Sequence, residues 1–212
     1  MNKIHIAGIG PGSKDYLLPV VNKLVKQADV LIGGKRALEL FADLDKEKIQ
    51  ITADLNKIKE FIENNYKVKK IVVLVSGDPG LYSMLSYLKK HFSRENLEVI
   101  PGISAFQLGF AKAGLVWQDA KFISLHGNDN RNNLLSEIKN NSKIGLITDN
   151  KFPPHQIIEF LIEKGIENRK VVVAENLSYS SERIIEGKLQ ELNNKEFSGL
   201  SVMVIFDDSL EI

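Results

Sequence analysis

Four glycine-rich segments in the first half of the chain have the composition of ligand-binding loops. They are GIGPGS (8–13), IGGKR (32–36), SGDPGLYS (76–83) and PGISA (101–105). Gly77 would let a ligand come close to the backbone, and the carboxylate of Asp78 offers an anion to hydroxyls or to an ammonium group. These residue types predict a site for a small polar ligand.

Each of the four segments follows a short apolar run, and helical patterns separate the runs. KKIVVLVS, before the third segment, is the clearest buried strand, while LNKIKEFIENNY (55–66) has the spacing of an amphipathic helix. Strands that alternate with helices predict a parallel sheet, and ligands collect at the carboxyl ends of such strands. We therefore expect the four segments to converge on one crevice. The alternative is an ordinary Asp-Pro-Gly turn in which Asp78 caps the next helix.

The first segment fits a dinucleotide-binding loop poorly. That fingerprint needs glycine at the first, third and sixth positions and an acidic residue about 20 positions later. The sixth position here is Ser13, and the second predicted strand ends in LIGGKR without an acid. Pro11 stiffens the loop and removes a donor, which suits a wall of a site better than a phosphate cradle. NAD is disfavoured, and a glycine turn without a ligand is the remaining alternative.

The strand and helix pattern restarts after a short connector at residues 114–121. Further strands are predicted in FISLHG (122–127), KIGLIT (143–148) and KVVVAENL (170–177). The last strands follow one another with little helix between them, which favours antiparallel pairing. The chain is predicted to be an α/β protein with two α/β domains. Residues 1–114 form a domain with a parallel sheet and helices on both faces, and residues 121–212 form a domain with a mixed sheet.

The composition excludes several classes of protein. The 212 residues include 28 basic and 27 acidic residues, and the net charge of +1 lacks the basic excess of a nucleic-acid binder. Cysteine is absent, which excludes disulfides, thiolate metal sites and cysteine nucleophiles. There is no signal-peptide pattern, and no apolar run approaches the roughly 18 residues of a membrane span. We expect a cytoplasmic protein that binds neither nucleic acid nor membrane.

With these loops in place, the chain resembles the tetrapyrrole methylase family of S-adenosylmethionine-dependent methyltransferases over nearly its whole length. The stretch from GIGPGS to DVLIGG is similar to the opening loop, helix and second strand of that family. LVSGDPGLYS is similar to its Gly-Asp-Pro motif and VIPGISA to its Pro-Gly-Ile-Ser motif. GGKR, LITDN and ENLSY are most similar to the branch that methylates C5 of precorrin-7 or cobalt-precorrin-7 in cobalamin biosynthesis. Pro19 departs from the threonine that relatives often have in the first helix.

The resemblance implies that S-adenosylmethionine binds in a cleft between the two domains. The implied cofactor-binding residues of the first half are Pro11, Gly77, Asp78, Leu81, Tyr82, Ser104 and Ala105. Those of the second half are Thr148, Ala174 and Asn176, which would enclose the adenine. Packing at strand ends is the alternative for these three residues.

The implied acceptor is the C5 carbon of an electron-rich macrocycle that carries acetate and propionate side chains. Such an acceptor needs no strong protein nucleophile, and no residue is assigned as a catalytic base. Lys35 and Arg36 follow the second predicted strand, and His126 follows a strand of the second half. These three residues are candidates to bind substrate carboxylates. Solvated surface positions are the alternative.

The same resemblance implies a homodimer. The C15-methylating, decarboxylating domain that is fused to some relatives would have to be a separate partner chain. Any cobalt would arrive inside the substrate, with no metal site on the protein, and the sequence leaves open whether the substrate contains it. The competing hypotheses are methylation at another ring position or of a non-tetrapyrrole acceptor, a non-catalytic cofactor-binding protein, and a dehydrogenase.

Overall fold

The computed structural model describes residues 3–125 and 131–209, without the side chain of Asn132. It contains two compact units, Met1–Ser104 and Ala105–Ile212. Each unit is built around a five-stranded sheet with helices packed against it, so the predicted architecture of two α/β units is confirmed. Within the described residues, no helix is both long enough and apolar enough to cross a membrane.

The first unit has an entirely parallel sheet, as predicted. Its strands are β1 (Ile4–Gly8), β2 (Val30–Gly33), β3 (Glu47–Gln50), β4 (Ile71–Val75) and β5 (Leu97–Ile100). They lie in the order β3-β2-β4-β1-β5, so β1 is hydrogen-bonded to both β4 and β5. The central strands β2 and β4 are buried along their whole length, as expected of a sheet that is covered on both faces.

Helices cover both faces of this sheet. They are α1 (Pro19–Gln27), α2 (Lys35–Glu39), α3 (Leu55–Asn65) and α4 (Leu85–Leu88), and 3-10 turns occupy Lys14–Tyr16 and Arg94–Asn96. Val21 of α1 packs with Leu31 on one face, whereas Ile58 of α3 packs with Ile32 on the other. Successive strand residues point to opposite faces, so one apolar strand supplies both cores.

Two helices are shorter than their sequence patterns. Apolar residues have helical spacing over 14–28, but the helix begins at Pro19, the first helical position, where the missing N–H of proline costs least. Residues 81–92 also read as a helix, but α4 is a single turn that begins only after Tyr82, whose left-handed φ of 48° a helix cannot include. Strand β3 lies outside the predicted elements, because its four largely exposed residues form no apolar run.

The second unit has a mixed sheet, as predicted. Its strands are β6 (Lys121–Ser124), β7 (Lys143–Ile147), β8 (Arg169–Glu175), β9 (Arg183–Lys188) and β10 (Ser201–Asp207). They lie in the order β6-β7-β10-β8-β9. Strands β6 and β7 pair in parallel, whereas β10 is antiparallel to both β7 and β8, and β9 is antiparallel to β8.

Helices also cover both faces of the second sheet. They are α5 (Ala105–Lys112), α6 (Arg131–Asn140), α7 (Pro154–Glu163) and α8 (Leu189–Leu192). Phe110 of α5 packs with Val172 and Val204 on one face. On the other face, buried side chains of α6, α7 and α8 pack together with residues such as Met203 and Ile205 of β10.

Helix α5 determines where the two units divide. It lies against β7, β8 and β10. It can come so close because Gly145 has no side chain: a Cβ atom there would lie 2.8 Å from the ring of Phe106 and 2.9 Å from that of Phe122. The division after Ser104 therefore precedes the connector at 114–121, where the boundary was predicted. The predicted first domain, 1–114, included a helix that packs on the second sheet.

His5 is expected to make the stability of the first unit depend on pH. It lies in β1 between Val72 and Glu98. Its buried Nδ1 has no hydrogen-bond partner among the described residues and lies 3.6 Å from Oε2 of Glu98. Burial lowers the pKa of His5 below its ordinary value of 6.5, while Glu98 raises this pKa and Lys70 and Lys3 lower it further.

The folded protein thus binds this proton less tightly than the unfolded chain does. The free energy of unfolding is therefore expected to fall as the pH drops through 6.5. Urea unfolding at about pH 7.5 and about pH 5.5 should show a larger loss for the wild type than for His5→Gln, which cannot titrate there. Equal losses for the two proteins would contradict this role of His5.

Candidate functional site

The carboxyl ends of β1, β2, β4 and β5 lie at one edge of the first sheet, because these strands are parallel. The four glycine-rich segments leave the sheet here, as predicted. We call this edge the loop edge. Ligand sites of parallel sheets usually lie at this edge, where polar groups on several loops can contact the same ligand.

Three glycines bring three loop backbones into direct contact at the loop edge. A Cβ atom on Gly8 would lie 2.5 Å from the carbonyl oxygen of Gly77 and 2.6 Å from the nitrogen of Gly102. A Cβ atom on Gly102 would lie 2.2 Å from the same oxygen. Gly77 has a left-handed φ of 67°, which glycine adopts without strain. We call Gly8, Gly77 and Gly102 the glycine junction, and no side chain fits at Gly8 or Gly102 unless the backbone moves.

Backbone hydrogen bonds also join the first and third loops. The N–H of Gly77 donates to the carbonyl of Gly10 at 2.8 Å, and the N–H of Gly10 donates to the carbonyl of Gly77 at 3.4 Å. Gly10 has a φ of 80°, and a Cβ atom there would lie 2.9 Å from the carbonyl oxygen of Tyr16. The N–H of Gly10 is therefore not free for a pyrophosphate, in agreement with the argument against NAD. Pro11 follows directly and is half-buried.

Asp78 connects the third loop to the fourth. Its Oδ1 accepts from the N–H of Gly80 at 2.7 Å, and its Oδ2 accepts from the N–H of Gly102 at 3.0 Å. The side chain is half-buried. Asp78 thus holds the glycine junction together, a structural role that the sequence alternative of a helix cap did not include.

Tyr82 has an unusual backbone at the loop edge. Its φ of 48° is left-handed, and its side chain is 60% exposed. A non-glycine residue in this region costs about 1–3 kcal/mol, and such residues cluster at functional sites. Leu81, the neighbouring predicted residue, is half-buried, and its N–H donates to the carbonyl of Asp78 at 3.2 Å.

The remaining predicted residues of the loops differ in burial. Ser104 is 5% exposed and ends the first unit, while Ala105 begins α5. Lys35 and Arg36 lie in the first turn of α2 and are exposed, and Nζ of Lys35 is 3.9 Å from Oε1 of Glu39. In the described part of the chain, the guanidinium of Arg36 makes no ion pair, so it is available to an external carboxylate.

The predicted residues of the second unit lie together at one sheet edge. Strands β7 and β8 are both antiparallel to β10, so their carboxyl ends meet its first residue, Ser201. Thr148 follows β7 and is 5% exposed, and its Oγ1 donates to the carbonyl of Ser201 at 3.0 Å. Ala174 is completely buried within β8. The side chains of Thr148 and Ala174 therefore support this edge from within.

Asn176 is accessible at the same edge and has a left-handed φ of 47°. Its N–H donates to the carbonyl of Leu200 at 2.9 Å. Its Oδ1 accepts from the hydroxyl of Ser198 at 3.1 Å, and its Nδ2 donates to the carbonyl of Ser181 at 3.4 Å. Three contacts thus hold an asparagine in a strained conformation, which marks this position as a second candidate for ligand contact.

His126 lies outside the described residues. Arg131, at the start of α6, has its guanidinium carbon 4.2 Å from the ring centroid of Phe152. Among the described residues, no three His, Asp or Glu side chains are grouped as metal ligands would be. A cavity of about 360 Å³, lined by His155 and residues 193–197, contains none of the predicted site residues.

Substitution of Gly102 by alanine is expected to destabilise the first unit by about 1–3 kcal/mol or more, because the added methyl meets backbone atoms that cannot rotate away. Gly34→Ala is the matched control, since Gly34 has a φ of −64° and a Cβ atom there meets nothing within 4 Å. The control should change the free energy of unfolding, measured in urea, by less than about 0.5 kcal/mol. Similar effects of the two substitutions would contradict the close contact at the glycine junction.

The sequence and the fold were compared with those of known proteins. A family model described as Tetrapyrrole (Corrin/Porphyrin) Methylases matches residues 3–193. The chain is 41% identical over 210 residues to the probable cobalt-precorrin-7 C(5)-methyltransferase of Methanocaldococcus jannaschii, covering 97% of this chain and 98% of that one. It is 35% identical over 181 residues to the cobalt-precorrin-7 C(5)-methyltransferase of Salmonella typhimurium, covering 85% and 88%.

Solved structures share the fold. The methyltransferase CobJ superposes with a TM-score of 0.84 at 20% identity, covering 100% of this chain and 97% of that one. The uroporphyrin-III C-methyl transferase of Thermus thermophilus, complexed with S-adenyl homocysteine, superposes with a TM-score of 0.77 at 18% identity, covering 96% and 97%. At these identities the likeness shows a common fold.

Proposed function

The chain belongs to the tetrapyrrole methylase family, and on this basis we propose that it is an S-adenosylmethionine-dependent methyltransferase in cobalamin biosynthesis. The proposed reaction is methylation of C5 of cobalt-precorrin-7 or precorrin-7. The observation that carries the proposal is the likeness to two cobalt-precorrin-7 C(5)-methyltransferases over most of both chains. The geometry of the loop edge supports the choice of cofactor.

The loop edge fits the groups of this cofactor. The carboxylate of Asp78 has about four acceptor positions, and backbone N–H groups occupy two of them, so two remain for an ammonium group or ribose hydroxyls. The exposed ring of Tyr82 provides an apolar surface on the same loop.

When bound, S-adenosylmethionine supplies an electrophilic methyl group, so the task of this chain is to align the reactants. Proximity and orientation contribute roughly 7–11 kcal/mol in favourable intramolecular models. The proposed contacts are Pro11, Gly77, Asp78, Leu81, Tyr82, Ser104 and Ala105, with Asn176 of the second unit. Thr148 and Ala174, whose side chains are buried, stay proposed contacts on the evidence of the sequence. No residue is proposed as the base.

Lys35 and Arg36 are the proposed contacts for the acetate and propionate groups of the substrate. Both side chains are exposed beside the carboxyl end of β2, and a guanidinium can bind a carboxylate through two parallel hydrogen bonds. His126 stays a proposed contact on the evidence of the sequence.

We further propose a homodimer that acts in the cytoplasm, with a separate C15-methylating partner.

The purified protein is expected to methylate precorrin-7, its cobalt-containing form, or both. The test combines turnover of the two forms with location of the new methyl carbon by NMR and with calorimetric titrations of S-adenosylhomocysteine and NAD. Binding of the first compound alone, with methyl transfer to C5, supports the proposal. A methyl group at another carbon would favour another ring position. Binding without turnover would favour a non-catalytic protein, and binding of NAD alone a dehydrogenase.

Arg36→Ala is expected to raise the KM for the corrinoid substrate about tenfold or more, because a charge-assisted contact is lost. The Kd for S-adenosylhomocysteine should change less than about twofold. Arg94→Ala is the matched control: Arg94 is exposed, but it precedes β5 and so lies at the opposite edge of the sheet. Steady-state kinetics and calorimetry measure both effects. A change in KM for both variants, or an equal change in cofactor affinity for Arg36→Ala, would remove Arg36 from the substrate site.

A further inference from the structure

Glu175 is a buried carboxylate at the ligand-facing edge of the second sheet. It is the last residue of β8, is 1% exposed, and lies opposite Arg183 of β9 and Ser201 of β10 in the strand register. Its Oε2 accepts from Nε of Arg183, and its Oε1 accepts from the N–H of Ser198. Because Glu175 has almost no exposed surface, it cannot itself contact a ligand.

The Glu175–Arg183 pair fastens the segment before β10 at two points. Glu175 holds the N–H of Ser198, and Nη2 of Arg183 donates to the carbonyl of Glu196 at 3.0 Å. The hydroxyl of Ser198 donates to Oδ1 of Asn176 and also accepts from the N–H of Leu200 at 3.3 Å. A chain of contacts therefore runs from the buried carboxylate through Ser198 to the carboxamide of Asn176.

Among the residues that the structure describes, these contacts leave half of the Asn176 carboxamide free. A carboxamide offers two donors and two acceptor positions. Ser181 takes one donor and Ser198 takes one acceptor position, so one N–H and one lone pair remain at a position that solvent reaches. That pair of groups is complementary to N7 and the N6 amino group of adenine, which asparagine binds through two hydrogen bonds.

A buried charge is costly unless it is paired. Even a buried ion pair can often be replaced by apolar residues of similar size without loss of stability. The charge at Glu175 therefore suggests a role in geometry more than in stability. Building on the proposed function, we propose that Glu175 is a positioning residue that acts through Ser198. It fixes the carboxamide of Asn176 so that this group recognises the adenine of the cofactor.

The test compares two ligands that differ at the adenine amino group, S-adenosylhomocysteine and S-inosylhomocysteine. The second compound has a carbonyl where the first has the amino group. Wild-type protein is expected to bind the adenosyl compound about tenfold more tightly or better, because the inosyl compound leaves the carboxamide oxygen unpaired. Glu175→Gln and Ser198→Ala should each reduce this preference to about twofold or less by loosening the same carboxamide. Calorimetry gives the six dissociation constants, two for each of the three proteins.

Asp207→Asn is the matched control. Asp207 ends β10 and pairs with Arg169 at 2.6 Å, at the opposite edge of the same sheet. This substitution removes an ion pair of the second unit but should leave the preference for adenine intact. If Glu175→Gln does not fold, Ser198→Ala carries the test, since it removes one hydroxyl and keeps the backbone N–H that Glu175 binds.

The outcomes separate this inference from the proposed function. Wild-type protein that binds neither compound contradicts the proposed function, and the inference with it. Wild-type protein that binds the adenosyl compound, with an unchanged preference in folded Ser198→Ala and Glu175→Gln, overturns the inference alone. An equal loss of preference in Asp207→Asn also overturns it, because the effect would then follow from general loosening of the sheet.

Discussion

Direct contact between the backbones of Gly8, Gly77 and Gly102 is the constraint on which the loop edge of the first unit depends. Atoms of these loops come so close that a single added methyl group would meet a neighbouring backbone. Gly8 follows β1, and Gly77 and Gly102 follow β4 and β5 on either side of it, so the strand order brings the three loops to one point. The parallel sheet thus places the loops, and the lack of side chains at Gly8 and Gly102 lets their backbones touch.

The two units stabilise the loop edge and the sheet edge beside Asn176 in the same physical way. In each unit a carboxylate accepts backbone N–H groups across a loop: Asp78 from Gly80 and Gly102, and Glu175 from Ser198. In each, a non-glycine residue close to that carboxylate is left-handed, Tyr82 in one and Asn176 in the other. Such residues persist only where surrounding contacts over-determine the backbone. For Asn176, one such contact is the hydrogen bond from its N–H to the carbonyl of Leu200.

The sequence predicted what depends on local patterns and missed what depends on distant packing. Apolar runs predicted the strands, and the alternation of β1, α1 and β2 predicted the parallel sheet of the first unit. The sequence placed α5 in the first unit, whereas it packs on the second sheet. Its apolar face could pack on either sheet, and Gly145, far along the chain, makes room for it on the second. The bond from Gly102 to Asp78 was equally hidden, since these residues are 24 positions apart. Tyr82 carries no local signal of a left-handed backbone.

Rigid loop edges agree with the chemistry of methyl transfer under the proposed function. An activated methyl donor and an electron-rich carbon need no protein nucleophile, so the protein contributes mainly through alignment, worth roughly 7–11 kcal/mol in favourable models. Holding Tyr82 and Asn176 in left-handed conformations costs about 1–3 kcal/mol each. The cost of the strain is thus smaller than the benefit available from alignment. A chain without cysteine and with two stiffened edges is suited to a reaction in which geometry replaces covalent catalysis.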